Sequence, residues 1–201
     1  MGERREQRSW RPARVSSMPS VKDAARRFCP PYVVAGEAPW ALRLKLTDPS
    51  GRRPDISVGH RHERRLFLKA NYLSLASTVP GTGPERDAEL TFRFRGPLSH
   101  QRTRLGWKAP VPGGPEWLAR AEGPLLEAVR GIEAVQSLRL RWSVGEGAWK
   151  VRLETLSGSM MSGFMTPLPV AVPFDQREAD SFIALVDVLA SPAYGTPPTP
   201  A

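Results

Sequence analysis

Apolar and polar residues alternate in several segments of the chain, which is the pattern of half-buried β-strands. The alternation runs through residues 40–47 and 89–95, and apolar runs at 66–70 and 72–79 predict two further strands with a bend near Asn71. The inward apolar positions of the two alternating segments are Leu42, Leu44, Leu46, Leu90, Phe92 and Phe94.

The clearest strand pair is a β-hairpin around residues 145–146, because apolar positions alternate on both sides of that dipeptide. A two-residue type II′ turn, with Gly145 at its first central position, places Trp142 opposite Trp149. Every inward apolar residue of the hairpin then has an apolar partner. The same register opposes like charges on the other face, in the pairs Arg139 with Arg152 and Arg141 with Lys150.

Three segments have the spacing of amphipathic helices. Ser20 can cap a helix that ends near Phe28, before a proline pair. A second helix begins at Pro115, and we expect the dipeptide at 123–124, Gly-Pro, to kink or divide it. Asp175 caps a third helix with an apolar stripe. The second and third helices each follow a run of predicted strands, so we expect them to pack on the sheet.

This order of elements predicts an α+β fold, a curved antiparallel β-sheet of about six strands with helices packed on one face. Three strands and a helix occur twice, which hints at two βββα halves. Residues 20–190 are predicted to form a single domain. Residues 1–19 form an arginine-rich segment and 191–201 a proline-rich tail, both predicted to be disordered.

Charge and cysteine content narrow the class of protein. The chain has a formal net charge of +9, and its 24 arginines outnumber its five lysines, as in proteins from GC-rich bacteria. The single cysteine, Cys29, excludes a disulfide framework and favours the cytoplasm. Prolines interrupt the longest apolar run, 160–174, so no membrane association is expected.

The outward positions of the predicted strands are strongly basic. An uncovered sheet face would gather a candidate anion-binding set of eight side chains: Arg43, Lys45, Arg93, Arg95, Arg139, Arg141, Lys150 and Arg152. Such a face suits the phosphates of nucleic acid or the carboxylates of an acidic protein. The alternative is that these long side chains only solvate the sheet in an arginine-rich chain.

Residues for catalysis or metal binding are scarce. His60 and His62 share a strand face, but a three-histidine site with His100 is disfavoured by the arginines around them. Cys29 stands before two prolines, a context typical of an inert thiol. Familiar catalytic and cofactor motifs are missing. We therefore expect an uncharacterised cytoplasmic protein without a cofactor, which binds nucleic acid or another polyanion.

One alternative places the function inside the fold. A cavity between the sheet and the helices at 115–132 and 175–189 could bind a small molecule or form the site of an enzyme that lacks a familiar motif. The sequence does not decide between an internal cavity and the basic face.

Overall fold

The structure is a computed structural model that describes residues 18–38, 43–65, 68–93, 104–132, 135–163 and 170–194. Its helices are α1 (Met18–Arg26), α2 (Gly114–Arg130) and α3 (Gln176–Ala190), followed by a 3-10 helix at Pro192–Tyr194. The strands that precede α2 are β1 (Val33–Ala38), β2 (Arg43–Thr47), β3 (Ile56–Arg65), β4 (Leu68–Pro80), β5 (Ala88–Arg93) and β6 (Arg104–Trp107). The strands that follow α2 are β7 (Val135–Ser143), β8 (Ala148–Gly163) and β9 (Val170–Ala171).

The strands form one antiparallel sheet in an α+β fold, as predicted. Its order is β1-β2-β3-β4-β8-β7-β5-β6, and β9 pairs with β8. The hydrogen-bonded path therefore contains eight strands, so the prediction of about six was wrong. The division into two βββα halves is also wrong, because six strands precede α2 and three separate α2 from α3.

The helices and one face of the sheet enclose a single hydrophobic core. Buried residues of all three helices belong to the same cluster as the inward residues of the sheet, for example Val21 of α1, Leu125 of α2 and Phe182 of α3. Leu44 and Leu46 of β2 are at most 1 % exposed, as their alternation predicted. The opposite face of the sheet, which we call the open face, carries the intervening residues of each strand.

The predicted register of the β7–β8 hairpin is confirmed. Trp142 pairs with Trp149, Arg139 with Arg152 and Arg141 with Lys150. The type II′ turn is wrong, because the loop spans 144–147 and the left-handed residue is Gly147, with a φ of 57°, not Gly145. A glycine at the end of a four-residue loop supplies the positive φ without a steric penalty.

The ends of other elements differ from the prediction in instructive ways. Helix α1 already includes Met18, so Ser20 lies inside the helix and the predicted cap there is wrong. Helix α2 is not divided, although Pro124 lies inside it. The bend near Asn71 is confirmed as a register shift between Asn71 and Leu73 in the pairing of β4 with β8. Asp175 caps α3 as predicted and forms a capping box with Glu178.

Candidate anion-binding face

Most of the predicted anion-binding set lies on the open face. Arg43 and Lys45 flank the buried Leu44 on β2, and their side chains are exposed. Four further members have exposed side chains on the same face of β7 and β8: Arg139, Arg141, Lys150 and Arg152. Of the remaining two, Arg93 ends β5, and Arg95 lies outside the described residues.

The four members on β7 and β8 form a compact group, which we call the cationic quartet (Arg139, Arg141, Lys150 and Arg152). Directly paired residues of neighbouring strands lie about 5 Å apart, and alternate residues of one strand about 7 Å apart. Like charges placed directly opposite each other destabilise a sheet. The stability of the fold therefore does not account for the quartet.

Two arginines of the quartet are left without an ion pair, although Glu89 of β5 lies opposite Arg141, because Glu89 pairs with Lys108 instead. Within the described part of the chain, Arg139, Arg141 and also Arg43 make no ion pair. Lys150, by contrast, pairs with Glu146 of the hairpin loop. The unpaired guanidinium groups are the members of the set most available to an external anion, because no internal carboxylate competes for their donors.

A buried carboxylate connects two other arginines of the open face. Glu154 of β8 is only 6 % exposed, and its oxygens lie 3.1 Å from Nε of Arg61 and 3.4 Å from Nε of Arg152. Ser137 of β7 donates a hydrogen bond to Glu154, at 3.0 Å. The two arginines balance the negative charge of the buried carboxylate. In turn, the carboxylate holds both guanidinium groups in position.

Arg61 is a basic residue of this face that the sequence interpretation missed. It lies on β3 opposite Tyr72 of β4, and its guanidinium carbon is 5.6 Å from the centre of the tyrosine ring. Its signal in the sequence was the alternation of Ile56 and Val58 with Ser57, Gly59 and Arg61, which is the pattern of a half-buried strand.

Small residues of β3 and β4 form the floor of a trough between basic walls. One row of paired residues crosses five strands in the order Lys45, Ser57, Ala76, Arg152 and Arg139. Because Lys45 and Arg152 are separated by three strand spacings, their Cα atoms lie about 14 Å apart. The trough has a volume of about 1080 Å³, and Thr78 completes its floor.

The loop after β2 adds charge at one end of this trough. Arg52 and Arg53 both line it. Arg53 makes a two-pronged contact with Asp187 of α3, with nitrogen–oxygen distances of 3.1 and 3.0 Å. Lys45 pairs with Asp55 at 2.7 Å, and this hydrogen bond lowers the pKa of Asp55 below its ordinary value. Asp55 therefore stays ionised and offsets part of the positive charge.

The histidines and the cysteine do not form a reactive centre. His60 lies with Nε2 at 3.1 Å from the carbonyl oxygen of Gly158, and burial lowers its pKa. His62 contacts Asn71 at 2.8 Å. Burial raises the pKa of Cys29, opposite to the shift that activates a thiol. No cluster suited to a metal ion occurs within the described ranges, and His100 lies outside them.

The two tryptophans of the β7–β8 hairpin face the core. Trp142 and Trp149 are at most 6 % exposed and pack with their ring centres 5.4 Å apart. The larger cavity lies on the open face, and a smaller one of about 580 Å³ is lined by residues of α2 and α3, with no lining residue from the sheet. Neither of these two cavities lies between the sheet and the helices, where the alternative hypothesis placed a ligand.

Comparisons with known proteins leave the site to be interpreted from its geometry. No protein family, curated protein or solved structure matches the chain. Among the described helices, none combines the length and the apolar character that crossing a membrane requires.

Proposed function

We propose that this protein binds a polyanion through its open face, and that the ligand is the phosphate backbone of a nucleic acid. The observation that carries the proposal is the cationic quartet, in which Arg139 opposes Arg152 and Arg141 opposes Lys150. Phosphates that lie between such side chains would offset their mutual repulsion and release counterions, which supplies affinity without reference to sequence.

The alternative is that arginines merely solvate the open face. Solvation requires long polar side chains but not like charges in direct opposition, since alternating signs would solvate the strands equally well and add stability. The unpaired state of Arg139 and Arg141 also favours an external partner. Glu89 of β5 lies directly opposite Arg141 but pairs with Lys108 instead.

The proposed role is binding, not catalysis. Asp55 borders the trough as an ionised carboxylate held by Lys45, which suits charge balance more than proton transfer. The other lining residues of the trough are cations, small or hydroxyl residues, and apolar residues such as Ile56 and Val151, and this lining suits the positioning of an anion.

The salt dependence of binding tests this function. Fluorescence anisotropy of a labelled 20-nucleotide single strand is measured against the full chain from 20 to 200 mM salt. If the quartet neutralises about four phosphates, the logarithm of the association constant should fall with the logarithm of salt concentration with a slope of about −3. Absence of binding at the lowest salt concentration, or a slope near zero, would refute the proposal.

A further inference from the structure

We infer that the trough accepts one linear phosphodiester strand, with its bases turned away from the protein, in preference to a duplex. This inference rests on the proposed function and specifies the class of ligand at the same site. It is carried by the width of the trough, the size of its floor residues and the fixed positions of its basic walls.

The width of the trough favours a single strand. Its walls, Lys45 on β2 and Arg152 on β8, lie about 14 Å apart at Cα. Long side chains on both walls narrow the free span further. A B-form duplex, whose major groove alone is about 12 Å wide, can touch the rims but cannot enter. One backbone can lie along the floor and meet cations on both sides.

The floor offers small polar contacts in place of stacking surfaces. Ser57 and Ala76 face each other across β3 and β4, and Gly59 and Ser74 form the next pair along the strands. Further along β4, Tyr72 is the aromatic residue of this face, but it is only 8 % exposed and lies under Arg61. Proteins that stack bases use exposed aromatic rings, so the backbone, not the bases, should face this floor.

The arginine wall is held in place before any ligand arrives. Glu154 contacts Arg152 through Nε, and a guanidinium has five N–H donors, so donors remain for a phosphate. The same carboxylate also pairs with Arg61 of β3. Because the positions of both side chains are fixed by a buried acid, a ligand loses little side-chain entropy on binding them.

Four probes of equal length test this inference with the full chain at one low salt concentration. They are single-stranded DNA, single-stranded RNA of the same sequence, the blunt DNA duplex, and poly-L-glutamate. We expect the two single strands to bind within about threefold of each other and at least tenfold more tightly than the duplex or the polypeptide. The fluorescence of 2-aminopurine in the strand should not change on binding, because the bases are not stacked on the protein.

Equal or tighter binding of the duplex would overturn the inference while leaving polyanion binding intact. Poly-L-glutamate that binds as tightly as the single strands would overturn it in favour of an acidic protein partner. Binding of none of the probes would instead refute the proposed function itself. The trough variant Lys45→Ala should weaken single-strand binding at least threefold, and an unchanged single-strand affinity would contradict a site inside the trough.

Discussion

Reversing the two unpaired arginines of β7, in the double variant Arg139→Glu with Arg141→Glu, is expected to weaken oligonucleotide binding about a hundredfold at low salt. Two phosphate contacts are lost and two repulsions are added, a change equivalent to about 2.8 kcal/mol. The fold should lose at most about 1 kcal/mol of stability, because each new carboxylate lies opposite a cation, Arg152 or Lys150, and only the one at 141 also lies opposite an acid, Glu89 of β5. Anisotropy titration and urea unfolding of the same preparation measure both effects.

A matched control separates the open face from net charge alone. Arg120 on α2 and Arg177 on α3 are exposed on the helix layer, and their double reversal to glutamate gives the same net charge. This control should retain binding within about threefold. If both double variants lose affinity equally, the protein binds polyanions by its overall charge and the open face has no special role.

Replacing Trp149 by alanine is expected to reduce the free energy of unfolding by about 3–5 kcal/mol, the usual cost of deleting a large buried aromatic side chain. Trp149 is 0 % exposed, and its ring centre lies 4.8 Å from that of Trp117 and 6.2 Å from that of Trp107. Its Nε1 donates a hydrogen bond to the Thr82 carbonyl at 2.9 Å. Urea unfolding monitored by circular dichroism measures the loss.

The comparison variant for this prediction is Val144→Ala in the hairpin loop. Val144 is 47 % exposed, so its truncation should change stability by less than about 0.5 kcal/mol. The Thr82 carbonyl also accepts a hydrogen bond from Trp117, at 3.2 Å, and so keeps a partner when Trp149 is removed. A loss below about 1 kcal/mol for Trp149→Ala would show that the tryptophan cluster is not packed as described.

Strands with strict alternation could be predicted from the sequence, because one face of each strand packs on the core and the other is exposed to water. Leu44 and Leu46 on β2 alternate with exposed neighbours, and the register of β7 with β8 follows from matching apolar positions across the loop. The turn was predicted incorrectly because the loop contains two glycines, Gly145 and Gly147, and either of them can adopt a left-handed conformation. Only the tertiary structure assigns the left-handed conformation to Gly147.

Elements with weaker patterns were missed for physical reasons. Strand β3 was missed because glycine, two histidines and several charges interrupt the apolar alternation in its second half. Edge strands β1 and β6 each hydrogen-bond to a single neighbouring strand within the described sheet. Helix α2 continues through Pro124 because Ala121, Leu125 and Ala128 are buried on one face, and that packing offsets the lost hydrogen bond.

The candidate site could be predicted only in part for a related reason. Alternation identifies which residues of one strand face outward, and so it found six exposed cations of the open face. It does not show which strands are neighbours. The contact of Arg61 with Glu154 joins β3 to β8 across β4, and the floor of Ser57 and Ala76 likewise depends on strand order. The trough emerges only from the assembled sheet.

The most direct test of the account is a lysine acetylation footprint of the full chain, read by mass spectrometry with and without a saturating single-stranded oligonucleotide. Lys45 and Lys150 line the trough, whereas Lys22 is exposed on α1, which packs on the other face of the sheet. We predict that the oligonucleotide slows acetylation of Lys45 and Lys150 at least threefold and leaves Lys22 unchanged. Protection of Lys22 equal to that of Lys45 and Lys150, or protection of none, would contradict binding at the open face.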